Sequence, residues 1–181
     1  ANVAALGEIW MGAAKGCRSA VMVTLGTGVG GGTLIGLAKK MLGVQNVEII
    51  SALASEGDLE HIDLRIGDIT DRELSPTLVM ETTAANFGKV SDIATNGDLA
   101  LGILNLVFET IAMVSIFAAR SHGLRDVILT GNLSTIPQAE PLFAKTGGMF
   151  GFNFRMPVHA QYATVIGAAL TYFDTNGKES K

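Results

Sequence analysis

The stretch S-A-V-M-V-T-L-G-T-G-V-G-G-G, from Ser19 to Gly32, decides the fold. Its first seven residues, Ser19 to Leu25, are largely β-branched and apolar with no polar alternation, the pattern of a strand buried on both faces. From Gly26 to Gly32 the chain is glycine at Gly26, Gly28, Gly30, Gly31 and Gly32. Successive amides there can turn toward one point without Cβ obstruction, and Thr27 adds a hydroxyl donor. The segment therefore predicts an anion-binding loop between a strand and a helix. It is not the G-x-x-x-x-G-K-[ST] loop, because no lysine follows, and no acidic residue sits where a dinucleotide fingerprint requires one.

Upstream of that stretch, Asn2 to Ala14 reads as a helix stopped by Lys15 and Gly16. Downstream, Thr33 to Leu42 is a helix with Lys39 and Lys40 in its last turn and a stop at Gly43, and Val47 to Ser55 is a second, shorter one. Gly57 to Ile69 reads as helical, Ser75-Pro76 as a loop, and Thr82 to Gly88 as a short polar turn. Leu99 to Ala119 is apolar enough to span a bilayer, but Asn105 and Glu109 interrupt it and Arg120 and His122 follow, which favours a buried core helix capped by Asp98. Asp126 to Thr130 predicts a second strand, Pro137 to Thr146 a helix closed by Gly147 and Gly148, and Phe152 to Val158 a third strand. Gln161 to Phe173 predicts a closing helix and residues 175–181 a frayed polar tail. Strands alternating with helices predict a single α/β domain over residues 1–174. In open α/β sheets ligands lie beyond the carboxyl ends of the strands, where the first glycine loop meets a second turn, Leu129-Thr130-Gly131-Asn132.

Composition narrows the function. Glycine, 22 of 181 residues, is about 12% against a usual 7%, while charged residues are 17% where about 25% is ordinary. A net charge of −4 argues against nucleic acid or an anionic membrane surface as partner. A single cysteine, Cys17, excludes an intrachain disulfide, and no secretory leader opens the chain, so the expected compartment is cytoplasmic. His61, His122 and His159 fit no metal-ligand spacing, and no protein-built metal site is assigned. Glu8, Glu56, Asp58, Asp63 and Asp68 are the carboxylates available for magnesium or acid–base work, and sequence does not select among them.

Five segments in order carry a family resemblance: G-G-G-T-L-I-G-L at Gly30–Leu37, E-G-D-L-E-H-I-D-L at Glu56–Leu64, A-A-N-F-G at Ala84–Gly88, V-I-L-T-G-N at Val127–Asn132, and Q-Y-A-T-V-I-G-A-A-L at Gln161–Leu170. Over roughly residues 26–172 the chain resembles the C-terminal half of type II and eukaryotic-type pantothenate kinases. The resemblance implies a ribonuclease-H-like domain of the actin-like ATPase superfamily, with a mixed sheet and helices on both faces. Residues 1–32 are instead similar to the ROK family of glucokinases, although that family's E-x-G-H sugar motif and zinc-binding cysteines are missing.

By resemblance, the amides of Gly26, Gly28, Gly30 and Gly31 and the Thr27 hydroxyl hold the β- and γ-phosphates of ATP with Mg²⁺. Gly131 and Asn132 flank the adenosine, pantothenate is the acceptor, and the active form is a homodimer. The chain departs from those kinases in having one glycine loop where they place a β-hairpin between two. Their arginine ahead of the second glycine segment is missing too, Val23 standing near its position. The upstream D-x-G-G-T loop and the catalytic carboxylate are not in this sequence, so no catalytic residue is assigned and the isolated chain is expected to be nearly inactive. Two other readings stay open: a fragment of a ROK-type sugar kinase, and a non-catalytic module for dimerisation or regulation.

Overall fold

A computed structural model describes residues 2–17, 19–26, 29–72 and 79–178. Thr27, Gly28 and the Ser75-Pro76 loop lie outside the described residues. After helix α1 (Asn2–Met11), the apolar run forms strand β1 (Val21–Gly26). The glycine segment is shorter than a free loop. Val29–Gly30 make a two-residue strand β2, and helix α2 (Gly31–Leu42) begins at once from Gly30 and ends at Gly43. Helix α3 (Val47–Ala54) follows, capped by the Asn46 side chain, which accepts from the Ile49 amide.

Gly57 to Ile69 is not the expected continuous helix. It holds a 3-10 turn at Leu59–His61, strand β3 (Leu64–Arg65) and the single-turn helix α4 (Ile66–Ile69). The polar turn at Thr82–Gly88 contains its partner, β4 (Thr83–Ala85), and the two form a small antiparallel pair. Strand runs this short leave no period to read, so only the long-range pairing reveals them.

Helix α5 (Asn96–Ser121) is the core of the molecule. Its apolar length is explained by its own fold, since Ile103, Leu104, Phe108, Ala112 and Ile116 are fully buried. Strand β5 (Asp126–Thr130) coincides with its sequence expectation, and helix α6 (Ala139–Phe150) runs through Gly147 and Gly148 instead of stopping there. Gly147 is held because a Cβ would fall 2.6 Å from the Phe152 carbonyl oxygen at the start of β6 (Asn153–Arg155). Helix α7 (Ala163–Lys178) closes the chain, packs mainly on α1, and carries on past Phe173.

The sheet runs β2-β1-β5-β6 and every pairing in it is parallel, with Val21 to Thr24 in register with Val127 to Thr130. The expected mixed sheet is thereby corrected, because antiparallel pairing among the described residues is confined to β3–β4. Parallel strands need helical crossovers, and the β1-to-β5 connection supplies α2, α3 and α5; α2 and α3 pack on α5, and α2 and α5 lie against the strands. Phe108, Phe143 and Phe154 continue the core across α5, α6 and β6, with ring centroids 5.4 and 5.2 Å apart.

Asp98 does not start α5 as its cap. Thr95 does, its hydroxyl accepting from the Asp98 amide while Asp98 Oδ2 accepts from the Thr95 amide at 2.8 Å, a reciprocal capping box. Asp98 Oδ1 also accepts from the Asp58 amide, and His61 Nδ1 lies 3.2 Å from Oδ2. The Thr95 amide, then the Asp58 amide, the Thr95 side chain and His61, hold the Asp98 carboxyl down to about 2 against the opposing effect of burial. A carboxyl lower in the folded than in the unfolded chain contributes stability that is complete above the unfolded value of 3.8 and disappears as pH falls through the folded one. Acid titration from pH 5 to 2, followed by circular dichroism, should therefore lose on the order of 2 kcal/mol through Asp98, and Asp98→Asn should flatten that part of the curve.

Candidate functional site

Strands β1 and β5 end side by side. Thr24 and Thr130 are register partners whose hydroxyl oxygens lie 3.1 Å apart, so the turns beginning at Gly26 and Gly131 leave the sheet at one edge. A Cβ on Gly26 would lie 4.0 Å from the Asn132 amide nitrogen, and one on Gly31 would lie 2.5 Å from the Gly26 carbonyl oxygen. The end of β1, the start of α2 and the turn after β5 are thus in contact, a closeness available only to residues without side chains at Gly31 and Gly131.

The roles within this cluster differ. Gly30 adopts φ +83° as the N-cap of α2, and a Cβ there would press on Val107 and Ile111 of α5. No side chain caps α2 at its amino end, so its first-turn amides keep their partial positive charge, the arrangement that receives anions. The open side is at Gly32, where a Cβ would meet nothing within 4 Å. Gly131 spends its amide internally, donating to the Ala160 carbonyl at 2.9 Å, and its carbonyl accepts from the Ser134 hydroxyl at 2.7 Å. Its contribution is therefore steric. Thr27 and Gly28 lie outside the described residues.

From Asn132 a cleft of about 820 Å³ opens between α3 on one side and the Asn132–Pro137 turn with Tyr162 on the other. Gln138 braces its wall: it accepts from the Ser51 hydroxyl at 2.7 Å and donates to the Ser51 carbonyl and the Ser55 hydroxyl at 2.9 and 3.0 Å. Sequence reasoning missed Ser51, Ser55, Gln138 and Tyr162. They lie 83 or more residues apart across the brace, and no motif spacing records such a contact.

The carboxylates singled out by sequence do not assemble here, and no group of three or more metal-ligating side chains occurs among the described residues. Asp63 is fully buried, accepting from the Phe87 amide at 2.8 Å and from Asn105 Nδ2 at 2.7 Å. Asp68 pairs with Lys89 at 2.6 Å, and Asp58 caps the 3-10 turn and faces Arg65. Glu56 is exposed. Glu8 is buried, accepts from the Ala13 amide at 2.8 Å, and lines a separate cavity of about 540 Å³ with His159.

The Fumble family model matches residues 17–140, more than half of the chain. A type II pantothenate kinase from Bacillus cereus (strain ATCC 10987 / NRS 248) is 34% identical over 110 residues, covering 59% of this chain and 40% of that protein. One from Bacillus anthracis aligns at the same identity and coverage. Pantothenate kinase 1 of Oryza sativa subsp. japonica is 33% identical over 113 residues, 17% of its length. The chain thus spans about two fifths of the bacterial relatives it matches. The family match takes in β1, the glycine segment, the long core helix, β5 and the turn after it, all the elements that build the cleft from the sheet side. The chain belongs to the Fumble family.

Proposed function

We propose that this chain is the ATP-binding portion of a pantothenate-kinase-like phosphotransferase, in a ribonuclease-H-like domain of the actin-like ATPase type. The reading rests on one observation: Gly26, the uncapped start of α2 and Asn132 meet at the carboxyl edge of a parallel sheet, beside a cleft large enough for a nucleoside. In this reading the amides at Gly26, Gly28, Gly30, Gly31 and Gly32 and the Thr27 hydroxyl receive the β- and γ-phosphates. Gly131 holds the turn open, and Asn132 borders the adenosine lying against α3. Mg²⁺ is held by the phosphates and water, with no carboxylate of this chain assigned to it. Bound Mg-ATP supplies the transferable phosphoryl group and neutralises its charge. Pantothenate is the acceptor in the complete enzyme, which is cytoplasmic and homodimeric. The sugar-kinase alternative rests on residues 1–32, and the family match begins at Cys17, inside that stretch.

Thermal unfolding with Mg-ATP tests the nucleotide site. At 100 times its dissociation constant, ATP adds about 2.7 kcal/mol of apparent stability, roughly 5–10 °C for a domain of this size. Gly32→Asp separates binding from folding, because the position has room for a side chain and a first-turn carboxylate favours the helix by about 0.3–1 kcal/mol while repelling phosphate. The variant should melt no lower than the parent and lose the nucleotide shift. A shift that survives the substitution places ATP elsewhere. The chain alone is expected not to phosphorylate pantothenate or glucose, and turnover of either would move attention to Glu8.

A further inference from the structure

Glu8 is a buried carboxylate in an unfavourable place. Helix α1 ends at Met11, so Glu8 opens its last turn, where the aligned carbonyls of a helix leave partial negative charge and a cation is the stabilising residue. That turn has no basic residue. The carboxylate is nonetheless only 5% exposed, and the chain makes room for it: a Cβ on Gly12 would overlap Glu8 Oε2. Oε2 accepts from the Ala13 amide at 2.8 Å, while Oε1 has no hydrogen-bond partner among the described residues. Arg155 reaches the same turn without neutralising it, since its guanidinium donates to the Ala13 carbonyl at 3.3 Å and pairs with Asp126 at 2.8 Å. No ion pair among the described residues includes Glu8.

The cavity of about 540 Å³ that Glu8 lines is bounded by α1, by the segment from Met156 to His159 and by Ile166 of α7. Met156, Pro157, Val158 and Ile166 make its walls apolar, and His159 is exposed. Among the described lining residues there is no lysine or arginine and no second carboxylate. A charged oxygen facing such walls is poorly hydrated, which strengthens its attraction for any cation that enters.

We propose that this cavity binds a small organic ammonium ion, an alkyl or aralkyl primary amine in its protonated form. Its N–H donates to Glu8 Oε1 and its hydrocarbon part lies against Met156, Pro157 and Ile166. The donor set selects among cations. A metal ion needs more ligands than one carboxylate, and no group of three metal-ligating side chains occurs among the described residues. A guanidinium fork prefers two free oxygens, and Oε2 is already taken by the Ala13 amide. An ammonium needs only one. The cavity shares no lining residue with the cleft at Asn132, so this inference stands apart from the nucleotide reading.

Titration with n-hexylammonium, followed through the methyl resonances of Ile166 and Met156, tests it. Binding should saturate with a dissociation constant at or below about 1 mM and tighten roughly two- to fourfold per methylene from ethyl- to hexylammonium. Hexanoate and hexan-1-ol, similar in length, should bind at least about tenfold more weakly. Glu8→Gln keeps an acceptor for the Ala13 amide, so it should retain the parent's circular dichroism and weaken hexylammonium at least about tenfold. Hexan-1-ol binding as tightly as hexylammonium overturns the proposal, because the cavity would then be merely apolar. That comparison uses the parent chain and decides the question even where the variant fails to fold. No saturation up to about 10 mM, an affinity unchanged in folded Glu8→Gln, or saturation that moves neither methyl also overturns it.

Discussion

Gly131→Ala is expected to cost on the order of 3–5 kcal/mol, enough to lower the melting temperature by roughly 10 °C. The residue sits at φ +93°, ψ +169°, a region that side-chain-bearing residues essentially do not enter and that costs about 1–3 kcal/mol to impose. A Cβ would also collide with the Leu25 carbonyl oxygen, which belongs to a strand and has no flexible end to swing away. Relief by moving the turn would strain the bond from the Gly131 amide to Ala160, which ties the turn to the 3-10 segment ahead of α7. Chemical unfolding of Gly131→Ala beside Gly32→Ala, where space is open, provides the comparison. Equal stabilities would mean that the turn after β5 does not abut β1 as described, and the cleft would lose one of its walls.

The second large effect is at Asp63. Its side chain has both oxygens engaged in a site with no solvent exposure, one by the Phe87 amide and the other by Asn105, which also donates to the Thr83 hydroxyl at 3.3 Å. Phe87 is in the left-handed region, φ 56°, so the Asp63 bond holds a strained backbone as well as satisfying it. Asp63→Ala leaves two buried donors short of a partner, at about 1–3 kcal/mol each, and opens a small void, for a total on the order of 3–5 kcal/mol. The loss should be cooperative with Asn105. In the Asp63→Ala background, Asn105→Ala should cost at least about 1 kcal/mol less than in the parent, measured as a double-mutant cycle by urea unfolding. Strict additivity would show that the β3–β4 pair is not anchored to α5 through this contact.

These two positions also show what could be read from the chain and what could not. β5 was legible to the residue because D-V-I-L-T is a short apolar run ended by glycine, and the bond pattern of a parallel strand demands nothing more. The glycine segment after β1 was legible as a turn between strand and helix. Its division of labour was not, since Gly30 and Gly31 are set apart from Gly32 by the positive φ of Gly30 and by what a side chain would strike, namely Val107 and Ile111 of α5, and Gly26. Asp63 looked like one acidic residue among several. It was set apart by Asn105, 42 positions later, and no periodicity encodes that distance. The start of α5 was misplaced by three residues because Asp98 and Thr95 are both competent caps, and only the reciprocal bonds distinguish the cap from the third helical position. Gly147 and Gly148 read as a stop, yet packing against Phe152 and Phe154 makes the first of them a requirement of continuing α6.

The pairing of Thr24 with Thr130 spans 106 residues, and nearly everything between them belongs to the crossover. On a ribosome, β1 emerges long before the strand that will lie beside it, and the greasy face of Asn96–Ser121 follows with α2 and α3 to rest against but without β5 and α6, which cover the rest of it. Closing so long a loop is slow relative to helix formation, so the nascent polypeptide passes through an interval in which its stickiest segments are only partly covered. Chaperone demand during synthesis should accordingly peak between release of Ser121 and release of Thr130, and subside once the central pair of strands can zip together.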